Sequence, residues 1–191
     1  MEIAALLLCG GAARRFGADK LLAGAEPIAA RAARNLVAAA GRALAVIPLG
    51  SPRLRSVLEG AGCEVLETDR TGGGIGASLA AGVEATDRAH GWLVALGDMP
   101  SIQPRTIGRV RQALETGALI AAPCDGRERR GHPVGFAAAL RAELLALTGD
   151  VGARAVIQRH AAEVRLVATD DAGIFIDIDT PHDLEKLEKT P

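Results

Sequence analysis

The most constraining feature of this chain is an apolar run that breaks at paired glycines near its start. Residues 6–9 read Leu-Leu-Leu-Cys, and Gly10, Gly11, Arg15 and Lys20 follow. The run predicts a buried strand, and the glycines predict a tight loop whose backbone N–H groups can face an anion. The two cationic side chains add charge at the same place, which favours polyphosphate binding. An ordinary strand-to-helix turn with solvated arginines is the alternative interpretation.

The two commonest nucleotide-binding loops do not fit this segment. A P-loop needs Gly-Lys-Ser/Thr, whereas Gly17 is followed by Ala18, Asp19 and Lys20. A dinucleotide fingerprint needs G-x-G-x-x-G after the first strand, and residues 72–77, which can be fitted to G-x-G-x-x-A, lie far down the chain. An NAD-dependent oxidoreductase is therefore the less favoured hypothesis.

The composition is that of one globular domain, which we expect to span residues 1–191. A net charge of −1 provides no attraction to nucleic acid or to anionic membranes, and only 2% of the residues are aromatic. The 3 cysteines are widely spaced, which indicates reduced thiols. With neither a basic signal region nor an apolar stretch long enough for a membrane span, we expect a soluble, cytoplasmic protein that binds neither nucleic acid nor membranes.

The order of apolar runs and helical stretches predicts the fold class. Strands are predicted at residues 3–9, 43–48, 64–67, 92–96, 118–122, 164–168 and 174–178. Helices are predicted at residues 27–40, 77–90, 104–116, 137–147 and 151–160, and after the Thr180 cap through residue 189. This alternation predicts an α/β fold, a single three-layer Rossmann-like domain with a mostly parallel, mixed sheet flanked by helices. Ligands bind such sheets beyond the carboxyl ends of the strands, where the glycine loop is expected.

Three aspartates are candidate ligands for a metal ion. Asp98 follows the apolar run 92–96, and a carboxylate at the end of a strand can hold Mg²⁺ against phosphate oxygens. Asp177 and Asp179 alternate with apolar residues, so on a strand they would project from one face and repel each other unless a cation lies between them. The alternatives are a turn or helix cap at Asp98 and a solvated edge strand for the other two.

Two further segments are candidates for substrate contacts. The glycine-rich residues 72–76 would let a base or ribose lie against the main chain, with the Ser78 hydroxyl nearby; a flexible loop is the alternative. Residues 127–130 place three arginines just before His132, and they either dock an anionic acceptor or form a solvated loop. No Ser-His-Asp or Cys-His pattern supplies a nucleophile. Cations together with carboxylates suit direct phosphoryl or nucleotidyl transfer.

Taken together, these segments resemble the MobA-like nucleotidyltransferases, the family of molybdenum cofactor cytidylyltransferases and guanylyltransferases. The resemblance covers residues 8–20, residues 97–100, residues 131–134 and residues 177–181, so it runs nearly end to end. It implies an Mg²⁺-dependent enzyme that transfers NMP from an NTP to a phosphorylated acceptor, molybdopterin above all, and releases pyrophosphate. It also implies a molybdoenzyme or its chaperone as a partner. Ala13 stands where the family usually has Ser, which removes one phosphate hydrogen bond.

The resemblance and the residue patterns described above together predict roles for individual residues. Arg15, Lys20 and Asp98 are the expected catalytic residues, with the two cations holding the triphosphate. Asp98 and one of Asp177 and Asp179 are expected to hold Mg²⁺. The expected nucleotide-binding residues are Leu8, Gly10, Gly11, Arg15, Lys20, Gly76, Ser78 and Asp98. The expected acceptor-binding residues are Arg130, Gly131, His132 and Pro133.

The base preference has indications in both directions. Gly10 resembles the guanylyltransferase form of the loop, and a missing methyl beside the base would make room for a purine. Residues 74–79, 130–133 and 149–154 are more similar to the cytidylyl type. Several matching segments outweigh one steric permission, so we expect CTP to be favoured over GTP. A GTP-dependent guanylyltransferase and a non-catalytic nucleotide or cofactor carrier are the alternatives.

Overall fold

Seven strands form one mixed sheet in the computed structural model, which describes residues 1–10 and 20–189. Their order across the sheet is β3-β2-β1-β4-β6-β5-β7, and β6 runs antiparallel to both of its neighbours. All other neighbouring pairs are parallel. The strands are β1 Ala4–Leu8, β2 Leu44–Pro48, β3 Glu64–Thr68, β4 Gly91–Leu96, β5 Ile120–Cys124, β6 Val134–Ala137 and β7 Val164–Ala168.

Helices cover both faces of this sheet, which confirms the predicted fold class. They are α1 Ile28–Ala40, α2 Pro52–Gly60, α3 Ile75–Ala85, α4 Pro104–Glu115, α5 Arg141–Leu145, α6 Arg154–Arg159 and α7 Pro181–Lys189. Helices α1, α2 and α4 pack on one face, with Leu36 and Val110 fully buried there. Helices α3, α5 and α6 pack on the other face, around Trp92 and Leu144. Strand side chains alternate between the two cores, which is why continuous apolar runs form these strands.

Two predicted elements were wrong in kind or incomplete. Residues 174–178 do not form a strand: Ala172–Phe175 is a short 3-10 turn, and the chain continues to α7 without joining the sheet. Asp177 and Asp179 therefore do not share a strand face. The predicted helix over residues 137–147 is a 3-10 turn, Ala138–Leu140, followed by the short α5, and α2 was not predicted at all.

The cap predicted before the last helix is present. The Asp183 carboxylate accepts hydrogen bonds from the Thr180 amide (2.9 Å) and the Thr180 hydroxyl (2.7 Å). The Asp183 amide in turn donates to the Thr180 hydroxyl at 3.3 Å, so the two side chains together provide acceptors for N–H groups at the start of α7. Within residues 1–10 and 20–189, no helix is long and apolar enough to cross a membrane.

Candidate active site

The first and fourth strands bring two predicted site segments together. Strands β1 and β4 are parallel neighbours with Leu8 opposite Leu96, so Gly10 and Asp98 lie at the same carboxyl edge. The Gly97 amide donates to the Leu8 carbonyl at 2.9 Å, and a Cβ on Gly97 would lie 2.6 Å from the Cys9 sulfur. This close approach fixes where Asp98 leaves the sheet. Gly11, Ala13 and Arg15 lie outside the described residues, so their predicted roles stay predictions.

Lys20 joins two of the three candidate carboxylates. Its Nζ lies 2.9 Å from Asp98 Oδ2 and 2.9 Å from Asp179 Oδ1, and its side chain is only 12% exposed. Burial disfavours the charged amine, but the hydrogen bonds to Asp98 and Asp179 outweigh that effect and raise the pKa of Lys20. The ammonium is therefore held between two carboxylates that would otherwise repel each other.

Asp177 lies close enough to this cluster to be affected by its charge. Loss of hydration raises the pKa of the Asp177 carboxyl, and repulsion from Asp179 and Asp98 raises it further. It is Asp179, however, that contacts Lys20. The Ile178 amide donates to the Asp98 carbonyl at 2.9 Å, which places Asp179 beside Asp98 although their segment is not a strand.

The donor set fits a hard divalent cation only in part. Asp98 and Asp179 converge on one positive charge, and carboxylate oxygens are the ligands that Mg²⁺ and Mn²⁺ prefer. Among the described residues, no three His, Cys, Asp or Glu side chains form a preformed metal site. Two carboxylates match the way Mg²⁺ is commonly bound beside substrate phosphates, which supply further oxygens.

A cavity of about 530 Å³ opens beside the Lys20 bridge. Gly10, Lys20 and Asp98 line one part of its wall, while Pro52 and Leu54 from α2 line another. We call it the first cavity. Its position beyond the carboxyl ends of β1 and β4 is where an α/β sheet is expected to bind a ligand.

The glycines near the first cavity are required by contacts within the chain. A Cβ on Gly10 would lie 2.8 Å from Ser78 Oγ and 2.9 Å from the Thr71 side chain. A Cβ on Gly76 would lie 2.8 Å from the Thr148 carbonyl oxygen. The absence of a methyl at Gly10 therefore lets α3 and its preceding turn approach. That it also makes room for a purine stays a prediction.

Ser78 is also engaged within the chain. It is fully buried, and its hydroxyl donates to the Gly74 carbonyl at 3.1 Å. The Gly76 amide is likewise taken by the Gly149 carbonyl, at 2.9 Å. Direct contact of Ser78 or Gly76 with a nucleotide stays a prediction.

A second cavity, of about 560 Å³, lies on the sheet face that carries α3 and α6. Arg130, Gly131 and His132 line it together with Arg154, above an apolar floor that includes Phe136. The predicted acceptor segment therefore faces a real cavity. Pro133 is buried next to it, after a cis peptide bond.

His132 is the unusual polar group of the second cavity. Its Nδ1 is buried and has no hydrogen-bond partner among the described residues. Burial lowers the pKa of the imidazole, against the pull of the Asp98 charge, so the ring is neutral near pH 7. Its amide donates to the Ile174 carbonyl at 3.0 Å, which fixes this loop to the segment that carries Asp179. A buried nitrogen without a partner is available to a ligand.

Sequence reasoning missed Asp150, which lies where the two cavities meet. Leu8, Ile75 and Asp150 line both, and Asp150 is exposed at that junction. In the sequence analysis, residues 149–154 contribute only to the prediction of base preference, through their similarity to the cytidylyl type. The available signal was the acidic Asp150 between two glycines, Gly149 and Gly152, in the loop just before α6.

With this geometry in place, comparisons with known proteins define the class. The model of the MobA-like NTP transferase domain matches residues 5–164, so the chain belongs to the MobA-like NTP transferase family. The suspected resemblance is therefore confirmed.

Three relatives illustrate the range of similar proteins. Nicotine blue oxidoreductase of Paenarthrobacter nicotinovorans is 31% identical over 120 residues, which cover 60% of this chain and only 59% of that relative. Rv0371c of Mycobacterium tuberculosis H37Rv has a structure of TM-score 0.83 at 23% identity over 100% of both chains, and a second structure is a complex with manganese. A nucleotidyl transferase from Methanothermobacter gives a TM-score of 0.82 at 19% identity, covering 97% of this chain and 95% of that one. At these identities the structural matches support the fold.

Proposed function

We propose that this protein transfers NMP from an NTP to a phosphorylated acceptor and releases pyrophosphate, and that residues 1–191 form that transferase domain. The observation that carries the proposal is the Lys20 ammonium, held at 2.9 Å from both Asp98 and Asp179 in the wall of the first cavity. A cation and two carboxylates at the carboxyl edge suit a triphosphate and a divalent ion. We further propose that the enzyme works in the cytoplasm.

The chemistry requires positioning and charge neutralisation rather than a protein nucleophile. An oxygen of the acceptor phosphate attacks the α-phosphorus of the NTP, and the bond to the oxygen that bridges to the β-phosphorus breaks, so that pyrophosphate leaves with that electron pair. Lys20 would donate hydrogen bonds to phosphate oxygens as charge develops on them, with Arg15 in the same role. A divalent ion, when bound, neutralises phosphate charge, and Asp98 and Asp179 are the side chains that would hold it. Mg²⁺ is our proposal for that ion, and the manganese complex of Rv0371c supports a divalent metal.

The second cavity is the proposed acceptor site. Arg130 and Arg154 at its rim can pair with a phosphate, and the neutral His132 offers a buried nitrogen to a heterocycle. Molybdopterin, a phosphorylated heterocycle, is the acceptor we favour, with a molybdoenzyme or its chaperone as the protein partner that takes the product. CTP is the nucleotide we favour, and the contacts that a Cβ on Gly10 would make with Ser78 and Thr71 support this, because they account for the glycine without a purine.

Pyrophosphate release provides the test of this function. We expect release from CTP plus molybdopterin with Mg²⁺, slower release from GTP, and none without the acceptor. Asp98→Asn should lower turnover by at least about 100-fold while the melting temperature stays within a few degrees of wild type, because Asp98 lies at a strand end rather than in the core. Nucleotide binding by calorimetry without pyrophosphate release under any condition would instead identify a carrier.

An oxidoreductase is the second candidate, because the curated relative bears that name. The first loop lacks the spacing of a dinucleotide fingerprint. Titration with NADH and with CTP–Mg²⁺, each followed by calorimetry, distinguishes the transferase from the oxidoreductase. A transferase binds CTP–Mg²⁺ and does not bind NADH. The opposite result would favour the oxidoreductase.

A further inference from the structure

We propose that Asp171 is a positioning residue, which sets the place of Asp179 relative to Asp98 and, through Ile174, holds residues 130–133, the proposed acceptor loop. This inference rests on the proposed function, since it concerns how that site is assembled. Asp171 is only 3% exposed, and no Lys or Arg of the described residues forms an ion pair with it. A buried carboxylate without a counter-ion has to be stabilised by hydrogen bonds, so the identity of its donors matters.

The donors to Asp171 come from two different segments. Its Oδ2 accepts from the Gln103 amide at 2.8 Å and from the Thr106 hydroxyl at 2.7 Å. Both belong to the start of α4, where the helix dipole also favours a negative charge. Its Oδ1 accepts from the Gly173 amide at 3.0 Å, in the turn that leads to Asp179. The Asp171 carboxylate thus connects the start of α4, which follows Asp98 in the chain, to the turn that precedes Asp179.

These two segments are in direct backbone contact. A Cβ on Gly173 would lie 2.2 Å from the Ser101 carbonyl oxygen, so the two backbones touch. Further along, the Ile178 amide donates to the Asp98 carbonyl, and Ile178 is fully buried. Asp171 fixes one end of this contact and Ile178 the other, with Asp179 as the next residue.

The same turn holds the acceptor loop. The Ile174 carbonyl accepts from the His132 amide at 3.0 Å, and a Cβ on Gly131 would lie 2.4 Å from that carbonyl oxygen. The Arg129 guanidinium lies 3.7 Å above the centre of the Phe175 ring. Movement of the turn would therefore displace the carboxylates and the acceptor loop together.

Asp171→Asn tests this role with Asp170→Asn as the matched control. An amide cannot accept from all three donors, so the Gly173 side of the contact should loosen. Asp170 is the adjacent carboxylate, 83% exposed and paired with Arg105 at 3.0 Å, and its amide should change nothing. Two readouts are used: hydrogen exchange at the Ile178 amide, and Mn²⁺ affinity in the presence of CTP measured by the paramagnetic signal of free Mn²⁺.

We expect Asp171→Asn to speed Ile178 exchange selectively and to weaken Mn²⁺ binding by about 10–100-fold, as supporting partners of metal ligands do. Unchanged Ile178 exchange, or uniform acceleration at every amide, overturns the proposal. If the wild type binds no Mn²⁺ with CTP, the proposed function fails, while Ile178 exchange still decides the positioning role. Thr106→Val, which removes one donor at a fully buried site, should change both readouts in the same direction, and decides the matter if Asp171→Asn does not fold.

Discussion

Replacing Lys20 by Met removes the cation that separates two carboxylates. The expected loss of folding stability can be estimated from the exposed fractions of the three side chains. The Lys20 side chain is 12% exposed, Asp98 is 28% exposed and Asp179 is 45% exposed. Breaking a buried pair costs about 3–5 kcal/mol, whereas exposed pairs contribute about 0–1 kcal/mol. Because Asp179 is 45% exposed, we expect a loss of about 2 kcal/mol, between those limits. For a domain of this size that lowers Tm by about 4–8 °C.

The same variant should acquire a response to divalent ions in the absence of nucleotide. Without the ammonium, Asp98 and Asp179 face each other with their charges uncompensated, so a cation that binds between them stabilises the folded state. Binding at a concentration 100 times Kd contributes about 2.7 kcal/mol. A melting curve with and without Mn²⁺ measures both effects, and we expect Mn²⁺ to restore the Tm of Lys20→Met while it changes wild type much less.

Arg42→Met is the control for loss of a charged pair. Arg42 contacts Glu64 at 2.6 Å, but the two side chains are 82% and 65% exposed, so the pair adds little. Its Tm should stay near wild type, with no response to Mn²⁺. The reasoning is refuted if Lys20→Met melts with wild type, or if it melts early and Mn²⁺ does not raise its Tm.

Two further predictions concern packing and pH. Gly10→Ala should lower the free energy of unfolding, measured in urea, by about 1–3 kcal/mol, because the new methyl lies 2.9 Å from the Thr71 side chain. The ratio of CTP to GTP turnover should not change. A large shift in that ratio would support the steric account of base choice. Hydrogen bonds to Glu163 and Glu143 raise the pKa of His160, so its contribution is complete below its ordinary value of 6.5 and is lost as pH rises through the folded-state value. His160→Gln should therefore lower Tm more at pH 5.5 than at pH 9, and an equal loss at both would contradict this.

The sheet could be predicted where strands are buried on both faces. The run ending at Leu8 and the run ending at Leu96 are continuous and apolar because each side of the sheet carries a core. The strand β6 is not among the predicted strands, because it is short and contains Gly135. A Cβ on Gly135 would lie 2.7 Å from Leu114, so the glycine is required by a helix that crosses closely.

The false strand at residues 174–178 has two physical causes, one within the local sequence and one in distant contacts. Its alternation of apolar and acidic residues is real, but Asp171 accepts the Gly173 amide and so forms a turn there. Ile174 and Ile178 are buried by contacts with distant segments instead of by a sheet. The choice of Asp179 over Asp177 as the partner of Lys20 depends on that irregular path, so it could not be predicted from spacing.

The positions of the charged side chains of the site were easier to predict than the contacts that require its glycines. Asp98 follows the end of strand β4, and strands can be predicted from the hydrophobic pattern of the sequence. A glycine reports only that something lies close, and the sequence does not say whether that neighbour is a ligand or the chain itself. At Gly10 the neighbours are Thr71 and Ser78, and at Gly74 they are Gly149 and Asp150, 2.5 Å from a Cβ. Substrate preference in this chain is therefore better sought among side chains that face the cavities, such as Asp150, than in the count of glycines around them.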